Sequence, residues 1–477
     1  MGQDIQRTQF EHRDFERFAR QLRHETEALH ALVEAGALSG HEPVAGLELE
    51  AWLIDAAGRP APRNAEFLAR LGSPDVVTEL GRFNFEINVP SRPTRGDGLA
   101  LMAADLQSLW DRCGRCAADM GLRTVAIGIL PTVTDADLTT ANLSDRARYR
   151  ALNQQVLRQR HGRPTRLDIE GDDGTHLRSE HHDVMLEAAA TSFQVHLQLP
   201  SDLAARAYNA ALVASAPLVA MSANSPLLFG RRLWQETRIP LFEQALGIGT
   251  REDGRQAGMP RVGFGSGYAG YSLLECFREN EERFEPLLPL ALDEAAERLP
   301  HLRLHNGTIW RWNRPLVGFD DDGRVHLRIE HRPLAAGPSL VDMMANLVFA
   351  VGLIAHWAHA ATPLESALPF DAARHNFQAA ARFGLDAVLQ WPGGPPRSAR
   401  ELLLALMEPA SDGLTRLGVN GALARQALAV IEARVASGRT GARWQLQALD
   451  RRGGNLAAMT LDYAARQTGG DPVHLWD

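Results

Sequence analysis

The sequence predicts an α+β protein, an antiparallel sheet with flanking helices followed by a mostly helical C-terminal region. Three observations carry that prediction. From about residue 44 to 335, short strand patterns alternate with helical ones. From Ser339 onward helical periodicity dominates, punctuated by Gly-Pro clusters such as Trp391-Pro392-Gly393-Gly394-Pro395-Pro396. Several of the strands also have one apolar and one polar face, as in a sheet packed on one side only.

The 477 residues can bury a large core, and length alone allows two or three domains. No break in composition resembles a flexible linker, so one interlocked body is expected. Its parts are an N-terminal helical segment (1–43), a core (44–338) and a helical region packed on that core (339–477). The 45% hydrophobic and 23% charged content is that of a soluble globular protein. A net charge of -8 argues against a nucleic-acid partner, although an acidic protein can still focus positive potential in one cleft.

Met1-Gly2-Gln3-Asp4 opens no apolar run, so it is not read as a signal peptide. The most apolar stretch, Leu340 to Ala358, carries Asp342, Asn346 and His356, which fit a buried helix and not a membrane span. Three cysteines, an odd number, suit a reducing cytoplasm. Cys113 and Cys116 form a C-x-x-C, but no second pair completes a zinc site. Helical periodicity from Leu101 to Met120 makes them two small residues on a helix.

In chain order, residues 9 to 36 read as an amphipathic helix, with Phe15, Phe18, Leu22, Leu29 and Leu32 at three- and four-residue steps. Side chains alternate across a strand, so residues two apart share a face. In Gly46 to Ile54 the residues Leu47, Leu49, Ala51 and Leu53 face one way, while Glu48 and Glu50 face the other. In Arg82 to Val89, Asn84, Glu86 and Asn88 oppose an apolar face of Phe83, Phe85, Ile87 and Val89. In Thr191 to Leu199 the polar face is Ser192, Gln194, His196 and Gln198; in Arg324 to Arg332 it is Arg328, Glu330 and Arg332. The polar segment Arg158 to Asp183 reads as a loop, either beside a site or simply solvated.

These polar faces hold Glu, His, Asn, Gln and Arg and no Lys, unlike an ordinary solvent face. Glu48 and Glu50 share a face with no cation between them, and like charges raise each other's pKa unless a cation intervenes. Carboxylates with one imidazole and no thiolate suit Mg2+, or Mn2+, better than zinc. Several carboxylates beside arginines are the equipment of phosphoryl transfer. No P-loop pattern is present, so ATP, if used, rests on a carboxylate–metal platform. Gly263 to Gly270 is glycine-rich in the wrong register and reads as a turn. His181 and His182 read as loop surface, and His356 and His359 as hydrogen-bonded histidines of a helix.

Gly46-Leu47-Glu48-Leu49-Glu50 resembles the G-[IV]-E-x-E strand of the bacterial carboxylate–amine ligases, the second glutamate–cysteine ligase family. The resemblance continues through Glu79-Leu80-Gly81, Glu86-Ile87-Asn88, Arg148-Tyr149, Gln194-Val195-His196 and Ser222-Ala223-Asn224-Ser225-Pro226. It runs on through Trp312-Asn313-Arg314-Pro315, Arg328-Ile329-Glu330-His331-Arg332 and Asn376-Phe377 to Arg382-Phe383-Gly384. Each block is short; their order together is specific.

The resemblance implies a glutamine-synthetase-like fold, a curved antiparallel sheet whose concave face carries the site. It implies one Mg2+ site at Glu50, Glu79 and Glu86 and a second at Glu48, His196 and Glu330. Arg314 and Arg332 would hold the glutamate carboxylate and the transferring phosphoryl group, with Glu330 beside them; Arg148, Tyr149 and Gln194 would lie near substrate. ATP would phosphorylate the γ-carboxylate of glutamate, and an amine would then attack the acyl phosphate. The small-molecule partners are thus glutamate and an amine. Cysteine is the default acceptor, with another amino acid, a small amine or a peptide left open. Asn306 and Trp310, in an aromatic-rich stretch from Leu304 to Trp312, are candidates for the acceptor pocket. Two other readings stay open: a kinase or ligase of the same superfamily using another carboxylate, and a non-catalytic binder of nucleotide or amino acid. Homo-oligomerisation is an expectation from the family alone.

Overall fold

Val44–Ile54 (β1) is the axis of the sheet, because its Leu47, Leu49, Ala51 and Leu53 are all buried on one face. The computed structural model describes residues 9–171, 173–247 and 259–477. Before β1 lies the helix His12–Glu34 (α1). After it come Asn64–Leu71 (α2), Val76–Thr78 (β2), Asn84–Pro93 (β3), Gly98–Asp119 (α3), Arg123–Val125 (β4) and Ala147–Gln159 (α4). Next are the hairpin Thr165–Glu170 (β5) and His176–His181 (β6), then Phe193–Gln198 (β7), Ala204–Ser222 (α5), the short pair Leu227–Leu228 (β8) and Arg231–Arg232 (β9), and Arg238–Ala245 (α6). Val262–Gly263 (β10), Leu274–Arg283 (α7), Pro300–Asn306 (α8), Trp310–Arg311 (β11), Asn313–Phe319 (β12) and Val325–His331 (β13) complete the region before the C-terminal helices.

Seven strands form one antiparallel sheet in the order β12-β13-β7-β1-β3-β2, with β4 pairing the end of β1. One face is apolar and is covered by α3 on β3, α5 on β12 and β13, and Leu340–Ala358 (α9) on β7. The sheet curls round its polar face, leaving a cleft there. This is the α+β architecture expected from the sequence, a curved antiparallel sheet with flanking helices.

The C-terminal helices are Phe370–Phe383 (α10), Ala399–Ala405 (α11), Met407–Arg416 (α12), Gly421–Ser437 (α13), Gly441–Arg451 (α14) and Leu456–Gly469 (α15). Of these, α12 and α13 pack on α9, while α10 and α11 pack on α5. Helix α9 is apolar and buried, as the sequence predicts for Leu340 to Ala358. Two helices, Ser201–Ser222 and Leu340–Ala358, are long and apolar enough to cross a membrane, but each is 83% buried within the protein. Glycines let α12 approach α9 closely. A Cβ on Gly413 would lie 1.9 Å from the Gly352 carbonyl oxygen. Arg434 from α13 reaches into this bundle, bonding Asp342 Oδ1 at 2.7 Å and Asn346 Oδ1 at 2.6 Å, with the ion pair fully buried.

Cys113 and Cys116 lie buried on α3, as expected. His356 bonds Asp412 and His359 bonds the Ala355 carbonyl, so both are hydrogen-bonded helix residues. Arg158 to Asp183 departs from expectation. It is no loop; it begins at the end of α4 and then forms the β5–β6 hairpin. The physical reason is a short alternation that polar residues mask: Thr165, Leu167 and Ile169 are buried while Arg166, Asp168 and Glu170 are exposed. Where the glycine-rich stretch ends, Gly270 and the following Tyr271 and Ser272 donate backbone N–H bonds to the Glu275 carboxylate of α7, a structural turn.

Candidate active site

Register assembles the polar face. Glu50 stands opposite Glu86 across β1 and β3, and Glu86 in turn stands opposite Val77, two residues before Glu79. Across the other half, Glu330 stands opposite His196, and Gly46 opposite His196 brings Glu48 diagonally beside that imidazole. Arg314 lies opposite Glu330 on β12. The result is two triads, Glu50–Glu79–Glu86 and Glu48–His196–Glu330, in each of which one donor atom per residue lies within 4.8 Å of the others. Both line one cleft of about 470 Å³ with Arg148, Tyr149, Gln194, Arg314 and Arg332.

The two triads differ electrostatically. Burial would raise Glu48, but the charge of the adjacent His196 prevails and holds it at about 2. Glu330 is likewise buried, yet Arg314 and Arg332 hold it well below the usual carboxylate range. In the three-carboxylate triad no cation offsets the burial. Burial, then Glu86 and Glu50, push Glu79 well above its ordinary value. Burial and the nearby Glu48 push Glu86 up to about 7, and burial raises Glu50 despite Arg332. Three crowded carboxylates in this state, one buried and two half-buried, take protons unless a cation replaces them, and all-oxygen donors are what Mg2+ prefers. In the other triad His196 Nε2 is buried without a hydrogen bond; Glu48 Oε1 is 3.4 Å away, too poorly aligned to count. Both donor sets therefore fit divalent cations.

The arginines are oriented with donors to spare. Arg314 holds Glu330 through Nε at 2.8 Å and Nη2 at 2.9 Å, leaving its buried Nη1 unpaired. Arg332 Nη1 bonds Gln194 Oε1 at 2.7 Å and Glu330 at 3.2 Å, leaving Nε unpaired. Behind them, the Ser222–Pro226 segment is a scaffold. Asn224 N and Ser225 Oγ each donate to Glu236 at 2.7 Å, and Glu236 pairs with Arg238 at 3.0 Å. Arg238 in turn donates to the backbone oxygens of Arg332 and Pro333, fixing the end of β13.

The profile of Glutamate-cysteine ligase family 2 (GCS2) matches residues 44–462, nearly the whole chain. The chain belongs to that family. It is a carboxylate–amine ligase, an enzyme of the ATP-dependent carbon–nitrogen ligase class. The fold is similar to that of a glutamate–cysteine ligase from Francisella tularensis solved with AMP, at 9% identity and TM-score 0.54, covering 90% of each chain. A bifunctional glutathione synthetase from Pasteurella multocida shares 11% identity at TM-score 0.47, with 95% of this chain covering 55% of that one. No curated protein matches the sequence.

Not every residue that the resemblance points to keeps a free polar group in the ligase. Gln194 is fully engaged, donating to Glu50 at 2.7 Å and accepting from Arg332, so it bridges the first triad to an arginine. Asn306 accepts from Asn280 and donates to the Pro315 carbonyl, both at 2.9 Å; it ties α8 to β12 at the cleft wall. The Tyr149 hydroxyl donates to the Thr78 carbonyl at 3.1 Å, one residue before Glu79. Trp310 lines the cleft, while its neighbours Ile309 and Arg311 point into a larger cavity of about 1390 Å³ that holds neither triad. Volume and chemistry disagree here, and the chemistry locates the site. His181, paired with Ser179 and Asp135, joins no metal-type cluster among the described residues.

One cleft residue escaped sequence reasoning. Glu187 sits in a short turn between β6 and β7, and burial pushes it up to about 7 although Arg332 and Arg148 oppose the rise. The available signal was a lone carboxylate in the apolar run Val184-Met185-Leu186-Glu187-Ala188-Ala189-Ala190.

Proposed function

We propose that this ligase joins the γ-carboxylate of glutamate to a primary amine, using ATP through an acyl phosphate, with cysteine as the first acceptor to test. The observation that carries the proposal is the pair of triads on one concave face, flanked by arginines with unpaired N–H groups. Glu50, Glu79 and Glu86 would hold one Mg2+ and Glu48, His196 and Glu330 the other; Mn2+ fits the same donors. When bound, the two ions supply neutralisation of the nucleotide phosphates.

The chain's own residues do the rest. Arg314 and Arg332, held by Glu330, present Nη1 and Nε to the carboxylate and to charge developing on the transferring group. Arg148 and Tyr149 border the substrate space, and Trp310 with Leu316 and Val317 excludes water from one wall. Attack of the amine on the acyl carbon then expels phosphate, and no protein nucleophile is required. Positioning and electrostatics account for the catalysis.

The test is ADP release with Mg2+, glutamate and a panel of amines, with products read by mass spectrometry. ADP should form only when glutamate and an amine are both present, and Glu48→Gln or Glu330→Gln should abolish it. Full turnover by either variant at saturating Mg2+ would remove the metal assignment. Turnover with other acids and none with glutamate would move the substrate to another carboxylate.

A further inference from the structure

Beside the main cleft lies a second, small cavity of about 40 Å³, sharing the walls Glu50, Glu79, Leu80, Glu187 and Arg332 with it. Its polar atoms are unusually short of partners. Both side-chain atoms of Asn84, the hydroxyl of Ser192 and Oε2 of Glu187 are buried without a hydrogen bond. Asn84 and Ser192 are only 2% and 4% exposed, so solvent does not satisfy them. Leaving such atoms unmet costs on the order of 1–3 kcal/mol each, which argues for a resident group.

The chemistry of that group follows from sign and size. Three carboxylates, Glu50, Glu79 and Glu187, face two arginines there. Both arginines are already paired, Arg238 with Glu236 at 3.0 Å and Arg332 with Glu330 at 3.2 Å. The two triads use every carboxylate lining the cleft except Glu187. The void holds a few atoms at most. A small cationic hydrogen-bond donor matches the sign and size of the void and meets its unpaired acceptors, Asn84 Oδ1, Ser192 Oγ and Glu187 Oε2.

We infer that this cavity is an ammonium subsite, in which Glu187, Asn84 and Ser192 accept the three N–H bonds of a substrate's primary ammonium group. The inference deepens the ligase reading and rests on it for the substrate class. An amino-acid substrate would thus be gripped at both ends, its carboxylates by the arginines and its ammonium here. The ammonium belongs either to the glutamate donor or to the acceptor.

The experiment uses the full-length protein in Mg2+ and measures binding by thermal shift, so no turnover is needed. Two ligand pairs separate the sources: glutamate against glutarate, and cysteine against 3-mercaptopropionate, each pair differing only by the amino group. The wild type should bind the amino member of one pair roughly ten- to a hundredfold more tightly, as expected for a charge-assisted hydrogen bond. Glu187→Gln, which preserves shape, should erase that preference, and Ser192→Ala should reduce it. Mn2+ affinity should stay unchanged in both variants. Where turnover is measurable, KM for the same substrate should rise more than kcat falls. Equal binding within both pairs by the wild type would overturn the subsite whether or not the enzyme makes ADP. A preference that survives Glu187→Gln, or a loss of Mn2+ binding in its place, would overturn it too. Failure of glutamate to support ADP release, with the amino preference intact, would count against the ligase reading alone.

Discussion

Replacing Glu86 by Gln should stabilise the metal-free protein at alkaline pH while removing the benefit of Mg2+. Glu86 is raised from 4.5 to about 7 by burial and by its neighbour Glu48. Because the folded-state value is the higher one, the folded protein holds the extra proton between these two values. Its stability is therefore lost as pH rises from 4.5 through 7. At about 1.4 kcal/mol per pH unit, the ionised group costs about 3 kcal/mol at pH 8 and little at pH 5. A chain of 477 residues has an unfolding entropy of roughly 1 kcal/mol/K, so the difference is about 3 °C in melting temperature. Gln can still accept the 2.8 Å bond from Asn88, so packing is retained.

Melting curves in EDTA and in Mg2+, at pH 5.5 and pH 8, test this directly. In EDTA the variant should melt above the wild type at pH 8 and close to it at pH 5.5. In Mg2+ the wild type should rise more at pH 8 than at pH 5.5, since the metal needs deprotonated ligands, and the variant should rise far less. If Glu86→Gln lowers the melting temperature equally at both pH values in EDTA, the electrostatic account of this triad is wrong. Equal Mg2+ shifts in variant and wild type would refute its role as a ligand.

Gly413→Ala should destabilise the protein by about 3 kcal/mol or more, because its Cβ meets the backbone of α9 at Gly352 with no room to yield. Chemical denaturation read by far-UV circular dichroism checks this. Arg434→Met leaves Asp342 as a buried, unpaired carboxylate and should cost about 3–5 kcal/mol. The double variant with Asp342→Leu should recover part of that loss, measured by the same denaturation. All three cysteines are buried, and burial pushes Cys113 up to about 12, so iodoacetamide at pH 7.5 should leave activity intact under native conditions. Mass spectrometry of intact protein would follow the alkylation.

Much of the site was legible in the sequence because strand alternation is a local property. Glu48 and Glu50 share a face whatever the rest of the chain does, and the same holds for Gln194 with His196 and Arg328 with Glu330. The ordered motif blocks then pointed to the family, and α9 declared itself buried through its all-round apolarity. What one chain segment could not reveal is which strands are neighbours. β13 pairs with β7, more than a hundred residues earlier, and only that register sets Glu330 against His196. Glu79 lies outside the regular strands, and its place beside Glu50 and Glu86 follows from the β2–β3 pairing.

Tertiary structure also decided the engagement of individual groups. Gln194 and Asn306 have polar atoms that look available in sequence and are fully bonded in the fold. Glu187 looks like an isolated acid in an apolar turn, and only packing brings it to Asn84 and Ser192 around one cavity. The hairpin hidden in Arg158 to Asp183 belongs to the same class, since its few apolar residues acquire meaning only against α6. The sequence by itself thus determined which residues share a face, because backbone geometry is local. Which faces meet, and which polar atoms remain unpaired, was decided by long-range packing and register.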